Sequence, residues 1–406
     1  MAKKYFLKES ICYLNSNDGS GIFAFGSEAC INDLSEFALA KLEVFLDENK
    51  DNYIFGCLNY NLKNEIDQIQ SKADDLLKFP LINFWVPEYV VKIENGSRNY
   101  LKGLKTNHSE EILTEFLSAE KNTNNLAESI QFSARTSKEE YLQNVLKVKS
   151  LLQQGEIYEL NYCQEFFAED VLINNPFETY FKLNKLTKAP FSVFLKMDEH
   201  FLFCGSPERF LQKKGHKLIS QPIKGTAARG NTEKADLSIK KTLQNNQKER
   251  SENIMIVDLV RNDFSKIAQK NSVTVDELCA IYSFETVHQM ISTVCCEVKE
   301  NQSFTDIIRA TFPMGSMTGA PKLNAMKYID ELENFSRGIY AGSIGYIEPN
   351  GDFDFNVIIR SLVYNEKEKY LSCAVGGAIT ILSDPHEEYA ECQTKIGKIL
   401  NAFNES

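Results

Sequence analysis

Apolar residues recur along the chain at two spacings, and each spacing assigns its own elements. Short runs of β-branched and aromatic residues bounded by polar turns predict strands at 21–25, 53–58 and 89–93. Further runs predict strands at 191–195, 201–204, 342–347, 355–359 and 370–375. Helical spacing is clearest after Ser137-Lys-Glu-Glu140, which reads as a capping box. Tyr141, Val145, Val148 and Leu152 follow on one face, and Gly155 stops the helix. One long helical segment is expected over about 233–261. Another is expected from Pro321, in the first helical position, and a last over about 385–402 behind Asp384-Pro385. The strands come in consecutive groups and not in strict alternation with helices. That predicts an α+β fold with antiparallel sheet.

The density of the pattern also divides the chain. Residues 1–102 read as a β-rich N-terminal portion. Residues 103–130, with few apolar anchors and the run Lys121-Asn-Thr-Asn-Asn125, read as a polar surface connection. From 131 to 406 the patterning is denser and the main unit is expected. No repeat of the roughly 20–50-residue kind that marks a solenoid is visible.

Composition changes this picture in a few respects. Apolar residues make up 43% of the 406, enough for a large core and incompatible with wholesale disorder. Lys and Arg number 45 against 56 Asp and Glu, a net charge of -11 that opposes nonspecific nucleic-acid binding. No apolar run reaches the ~18 residues a membrane helix needs. Charge interrupts the N-terminal Met1-Ala-Lys-Lys4 too early for a signal peptide, so the cytoplasm is the expected compartment. The ten cysteines are scattered without a C-x-x-C pair and read as buried free thiols. The five histidines never pair at metal-ligand spacing, so no zinc site is expected.

Candidate chemistry starts with two carboxylate pairs at a spacing of three, Glu249 with Glu252 and Glu388 with Glu391. That spacing puts both members on one helix face. Each pair is either solvated helix surface or part of a site for a hard cation such as Mg²⁺, which prefers carboxylate oxygens. Lys224, in Gln221-Pro-Ile-Lys-Gly-Thr226, is either a snorkelling surface residue or a desolvated amine with a lowered pKa. Glu208, in Ser206-Pro-Glu-Arg, is either an ion-paired structural acid or a functional one. Gly315-Ser-Met-Thr-Gly-Ala-Pro321 is a small-residue loop ahead of a helix, which suits close approach of an anion. Gly376-Gly-Ala378 could offer backbone N–H groups in the same way. Arg360 is a carboxylate binder at a strand end or merely an edge charge.

Taken together these blocks resemble the chorismate-utilising enzymes. Pro222-Ile-Lys-Gly-Thr226, Glu252 through Arg261-Asn-Asp263, Phe312-Pro-Met-Gly-Ser-Met-Thr-Gly-Ala-Pro-Lys322, Gly342-Ser-Ile-Gly-Tyr346, Ile359-Arg-Ser361 and Glu388-Tyr-Ala-Glu391 occur in the family's order. The family includes component I of anthranilate and aminodeoxychorismate synthases and the isochorismate and salicylate synthases. The resemblance covers about 131–406. It implies a large α+β sandwich with two facing sheets and a central cleft.

Further expectations follow from that resemblance alone. Lys at position 224, where anthranilate synthases carry Ala, is similar to the branch that aminates chorismate at C4. That branch leads to 4-aminobenzoate and folate. Lys224 is then the nucleophile at C2, with burial lowering its pKa, and Glu208 the acid that protonates the departing C4 hydroxyl. Glu252 and Glu391 match direct Mg²⁺ ligands, with Glu249 and Glu388 acting through water. Gly225, Thr226, Thr318, Gly376, Gly377, Ala378 and Lys395 match substrate contacts. Tyr340 and Arg360 match the pair that holds the enolpyruvyl carboxylate, and His288 a histidine near the ring. Two positions depart from the family pattern: Glu159 stands where the aminating members usually carry Gln, and Ala378 replaces a glycine of the Gly-rich turn. No glutaminase nucleophile elbow is present, so a separate glutamine amidotransferase subunit is the implied partner. Rival readings are anthranilate synthase component I and a noncatalytic member of the family. The tryptophan-sensing Leu-Leu-Glu-Ser is absent.

Overall fold

The computed structural model describes residues 10–33, 37–69, 71–122 and 129–404. Met1-Ala-Lys-Lys4 and Thr123-Asn-Asn125 of the polar run lie outside them. The strands form an 11-stranded and a 10-stranded sheet, and every pairing among the described residues is antiparallel. The two sheets face each other, and alternation along the strands shows it. In Phe191–Met197 of the first sheet, Val193 and Leu195 join a cluster with Phe55 and Cys57 of the second sheet's Ile54–Leu58. Phe194 points the other way, into the helices that cover the first sheet. Ile54 and Leu58 point likewise under the helices of the second. Strands buried on both faces read as continuous apolar runs, which is why these segments stood out without an in–out alternation.

The strands between Ile11 and Lys102 supply one end of both sheets. Ile11–Asn15 pairs with Phe191–Met197 and carries Ser20–Phe25, Tyr89–Glu94 and Ser97–Lys102 beyond it. Ile54–Leu58 pairs with Ser343–Ile347 and carries Ile82–Val86 and Ala29–Asp33. At the opposite ends lie Gly319–Ala320, Glu159–Ala168 and Tyr370–Ile379 in the first sheet, and Ile223–Ala228 and Val287–Glu297 in the second.

Four local expectations need correction. The long segment at 233–261 is two helices, Glu233–Gln244 and Gln247–Ile267. Asn246 breaks it by taking extended backbone and capping the second helix at Glu249 N. Pro321 is the residue before the helix Lys322–Leu332, also extended, and not its first turn. The strand expected to reach 359 ends at Asn356. The polar stretch 103–130 contains the helix Asn107–Ser118, because Ile112, Leu113 and Phe116 suffice to bury one face. Phe116 packs within 5.4 Å of Phe23, Phe181 and Phe194. The helix Lys138–Gln154 begins at Ser137, whose hydroxyl accepts from Glu140 N, and ends at Gly155 with φ 77°. The Glu140 carboxylate turns instead to Asn334. All ten cysteines are free and only Cys30 is exposed.

Candidate active site

A backbone irregularity aims the lysine. On the edge strand Ile223–Ala228, Ile223 pairs with Ile291 and Thr226 with Gln289, so Lys224 and Gly225 together stand opposite the single residue Met290. Such a bulge turns a side chain off its regular face. Gly225 takes φ +80°, and a Cβ there would sit 3.0 Å from a Glu249 oxygen, so glycine serves both the turn and the close approach. Lys224 Nζ crosses to the first sheet and donates to Glu159 Oε1 at 2.8 Å. The ion pair therefore joins the two sheets at their ends. The other oxygen of Glu159 is buried without a partner among the described residues.

The state of the lysine differs from the expected one. Burial alone lowers its pKa, but Glu159, Glu252 and Glu208 outweigh burial, and the group is held above the ordinary lysine value. Lys224 rests as an ammonium. The sequence pattern gave no weight to three carboxylates converging from separate elements.

Glu208 lies where the chain crosses from His200–Ser206 in the first sheet to Arg209–Lys214 in the second. Burial pushes its carboxyl up to about 7, against the opposing pull of Ser316, Lys224 and Arg360. Ser316 Oγ donates to Glu208 Oε1 at 2.6 Å. Arg360 takes φ 52°, and its guanidinium makes no hydrogen bond or salt bridge among the described residues. Burial lowers its pKa, while Glu208 and Tyr340 nearby work the other way. An unpaired guanidinium beside a buried tyrosine has the chemistry to bind a carboxylate.

The four glutamates stand on two helices. Glu249 and Glu252 occupy the first turns of Gln247–Ile267, and Glu388 and Glu391 those of Pro385–Asn404. Burial raises Glu252 to about 7, and Glu159 and Glu249 add to it. Burial and Glu391 raise Glu249. Burial also works to raise Glu391, yet Lys395 at 2.7 Å prevails and holds it below the usual range. Glu252 Oε1 is buried without a hydrogen-bond partner among the described residues. An all-carboxylate donor set with an orphaned buried oxygen has the chemistry of a hard divalent cation site. As placed, no three such side chains among the described residues converge to hold an ion. Lys248 stands among them, 2.9 Å from Glu388 and 3.9 Å from Glu252.

Other expected contacts sit differently. Gly376, Gly377 and Ala378 form no turn; they continue the strand Tyr370–Ile379 opposite Cys163, Tyr162 and Asn161. Ala378 lacks a positive φ and so carries no strain there. The neighbouring strand Ser361–Asn365 pairs only as far as Ser372. Lys395 Nζ fills part of the open side by donating to Gly376 O at 3.1 Å. Strand geometry sends the N–H groups of Gly376 and Ala378 to that same side. Thr226 is exposed. Thr318 is buried, and its hydroxyl donates back to Met314 O and Gly315 O. His288 is committed elsewhere: Nε2 lies 2.9 Å from Asp236, which also binds Arg229, and Nδ1 lies 2.9 Å from Ser283. Neither ring nitrogen reaches Lys224 or Glu208 in this arrangement.

The model for the chorismate binding enzyme family matches residues 10–401. The chain belongs to that family. Two relatives are aminodeoxychorismate synthase component 1 proteins. That of Klebsiella aerogenes is 33% identical over 85% of this chain and 76% of its own length. That of Salmonella typhimurium is 38% identical over 64% of this chain and 57% of its own. The crystal structure of anthranilate synthase component I from Streptococcus pneumoniae TIGR4 superposes with a TM-score of 0.78. It covers 94% of this chain and 92% of that one at 22% identity, which establishes the shared fold.

Within this chorismate-binding scaffold, one framework escaped the sequence reading. Arg337 is 2% exposed and pairs with Glu333 through 2.8 and 2.6 Å hydrogen bonds. It also donates to Met317 O and Asn161 O, at 2.6 and 2.8 Å. Asn161 Nδ2 donates in turn to Ser316 O at 3.0 Å. The loop that carries Ser316 is thereby fixed from below. Gly319 presses the same loop against the first sheet; a Cβ there would lie 2.2 Å from Glu159 O. The only sequence signal was a Glu–Arg pair at i,i+4, too common to single out.

Proposed function

We propose that the protein aminates chorismate at C4 to give 4-amino-4-deoxychorismate, in 4-aminobenzoate formation. Ammonia comes from a separate glutamine amidotransferase subunit, and Mg²⁺ is the cofactor. The observation that carries this reading is the bulge that turns Lys224 onto Glu159 and within electrostatic reach of Glu208; the names of the component 1 relatives support it. The Lys224 ammonium first gives its proton to Glu159, the acceptor at 2.8 Å. The free amine attacks C2, the ring double bonds shift, and the C4 hydroxyl leaves with a proton from Glu208 as water. Ammonia then adds at C4, the double bonds shift back, and the C2–N bond to Lys224 breaks. The net change is chorismate plus ammonia to aminodeoxychorismate plus water. Arg360 and Tyr340 orient the enolpyruvyl carboxylate. Glu252 and Glu391, with Glu249 and Glu388 through water, would hold Mg²⁺, which supplies charge neutralisation for the ring carboxylate. No helix among the described residues is long and apolar enough to cross a membrane.

The deciding assay combines purified protein, chorismate, Mg²⁺ and ammonium salt, with products separated by chromatography. Aminodeoxychorismate is expected. Anthranilate or isochorismate as the main product overturns the reading, and so does a failure to turn over. Adding the glutaminase subunit should let glutamine replace the ammonium salt.

The state of Glu208 sets a pH dependence. An acid with a pKa of about 7 holds its proton below that pH and loses it above. At a fixed concentration of free NH₃, kcat should therefore fall as pH rises through about 7, tending to tenfold per unit. Glu208→Gln should be slow and lack this limb. A profile of unchanged shape in the variant would remove Glu208 from the acid role.

A further inference from the structure

Lys248 reaches into the glutamate cluster from the first turn of Gln247–Ile267, beside Glu249 in the chain and one turn ahead of Glu252. Its ammonium donates to Glu388 on the other helix at 2.9 Å and lies 3.9 Å from Glu252. One side chain therefore bridges both helices that carry the four glutamates. Its two partners are buried, at 2% and 6% exposure, while its own side chain is 34% exposed. The other nearby cations are engaged: Lys224 with Glu159, and Lys395 with Glu391 and Gly376 O. Buried carboxylates drawn together repel, and the cluster needs a positive charge whether or not a metal is present. A compact ammonium on a flexible four-carbon stem with a path to solvent can supply that charge and can also withdraw.

We propose that Lys248 is a tethered counter-ion of the cluster. It closes on Glu388 and Glu252 when no divalent cation is bound, and it must leave before those carboxylates can take one. The proposal rests on the reading of the four glutamates as Mg²⁺ ligands. Its consequence is a tuned affinity. If the ammonium is withdrawn about one-tenth of the time, apparent metal affinity is about tenfold weaker than the carboxylates alone would give. An ordinary structural salt bridge would have no such effect.

The test titrates MnCl₂ calorimetrically into the wild-type chain, Lys248→Met and Lys248→Arg without substrate, and follows thermal melting with and without saturating Mn²⁺. Lys248→Met should bind Mn²⁺ about tenfold tighter. It should melt below wild type without metal and match it at saturation. Lys248→Arg should stay close to wild type in affinity. Lys248→Gln, which can still hydrogen-bond to Glu388, replaces the Met variant if the latter does not fold. Equal or weaker Mn²⁺ binding by the neutral variant overturns the proposal. A melting deficit that persists at saturating Mn²⁺ does so too, because it marks a bridge that survives metal binding. If neither wild type nor the neutral variant binds Mn²⁺, the reading of the glutamates as metal ligands falls, and the proposal with it.

Discussion

Lys224→Ala should lose C4 amination by about a thousandfold or more in kcat, the scale set when a covalent route with its own nucleophile is removed. With C2 open to ammonia, the residual product should shift towards anthranilate. Chromatography of single-turnover and steady-state products distinguishes the two. Para-product formation at the wild-type rate would refute the lysine's role. Folding must be separated from chemistry here, because the substitution leaves Glu159 buried and without the one cation hydrogen-bonded to it among the described residues. Breaking a buried pair from one side costs about 3–5 kcal/mol. The double variant Lys224→Ala/Glu159→Gln removes that orphaned charge. It should recover most of the lost stability in urea titrations and none of the amination. Recovery of both would place Lys224 in a purely structural role.

The same pair shows what the sequence could and could not convey. Lys224 was legible because it interrupts an apolar run inside a motif shared with a family. Its protonation state was not, since that depends on Glu159, Glu252 and Glu208, which are distant in sequence and meet only when the sheets face each other. Spacing of three displayed the two glutamate pairs, yet nothing in either pair shows that Lys248 lies across them. His288 illustrates the reverse: the motif brought it forward, while Asp236 and Ser283 hold both of its nitrogens. For the fold, doubly buried strands were easy to find, since hydrophobic runs persist without alternation. What stayed hidden was how the strands between Ile11 and Lys102 distribute over both sheets, because antiparallel partners far apart in the chain leave no local signature. Helix Asn107–Ser118 was obscured by its surroundings, as three buried apolar residues are enough to anchor a helix in otherwise polar sequence.

Arg337→Met is expected to be the most destabilising single change outside the proposed chemistry. The guanidinium answers both oxygens of Glu333 and two backbone carbonyls, and it lies 4.7 Å over the Tyr60 ring. Methionine fills much of the space but takes two donors from a buried carboxylate and one from each of two carbonyls. The expected loss is about 3–5 kcal/mol, read as a lower urea midpoint. Glu333 would keep only its bond from Cys163 N. Replacing both partners, Arg337→Met/Glu333→Leu, should restore much of the stability, since a buried ion pair exchanged for apolar side chains of similar volume is often neutral. Activity should not return with it. Met317 O and Asn161 O would still lack the donor that ties the loop to the strand, and Asn161 holds Ser316 against Glu208. The double variant should therefore fold with reduced kcat and an altered limb near pH 7, because Ser316 would no longer be fixed on the Glu208 carboxyl. Wild-type kcat and pH profile in the refolded double variant would show that the loop holds its shape without Arg337. A midpoint shift worth under about 1 kcal/mol in the single variant would remove the framework argument altogether, since that is the scale of an exposed pair and not of a buried one.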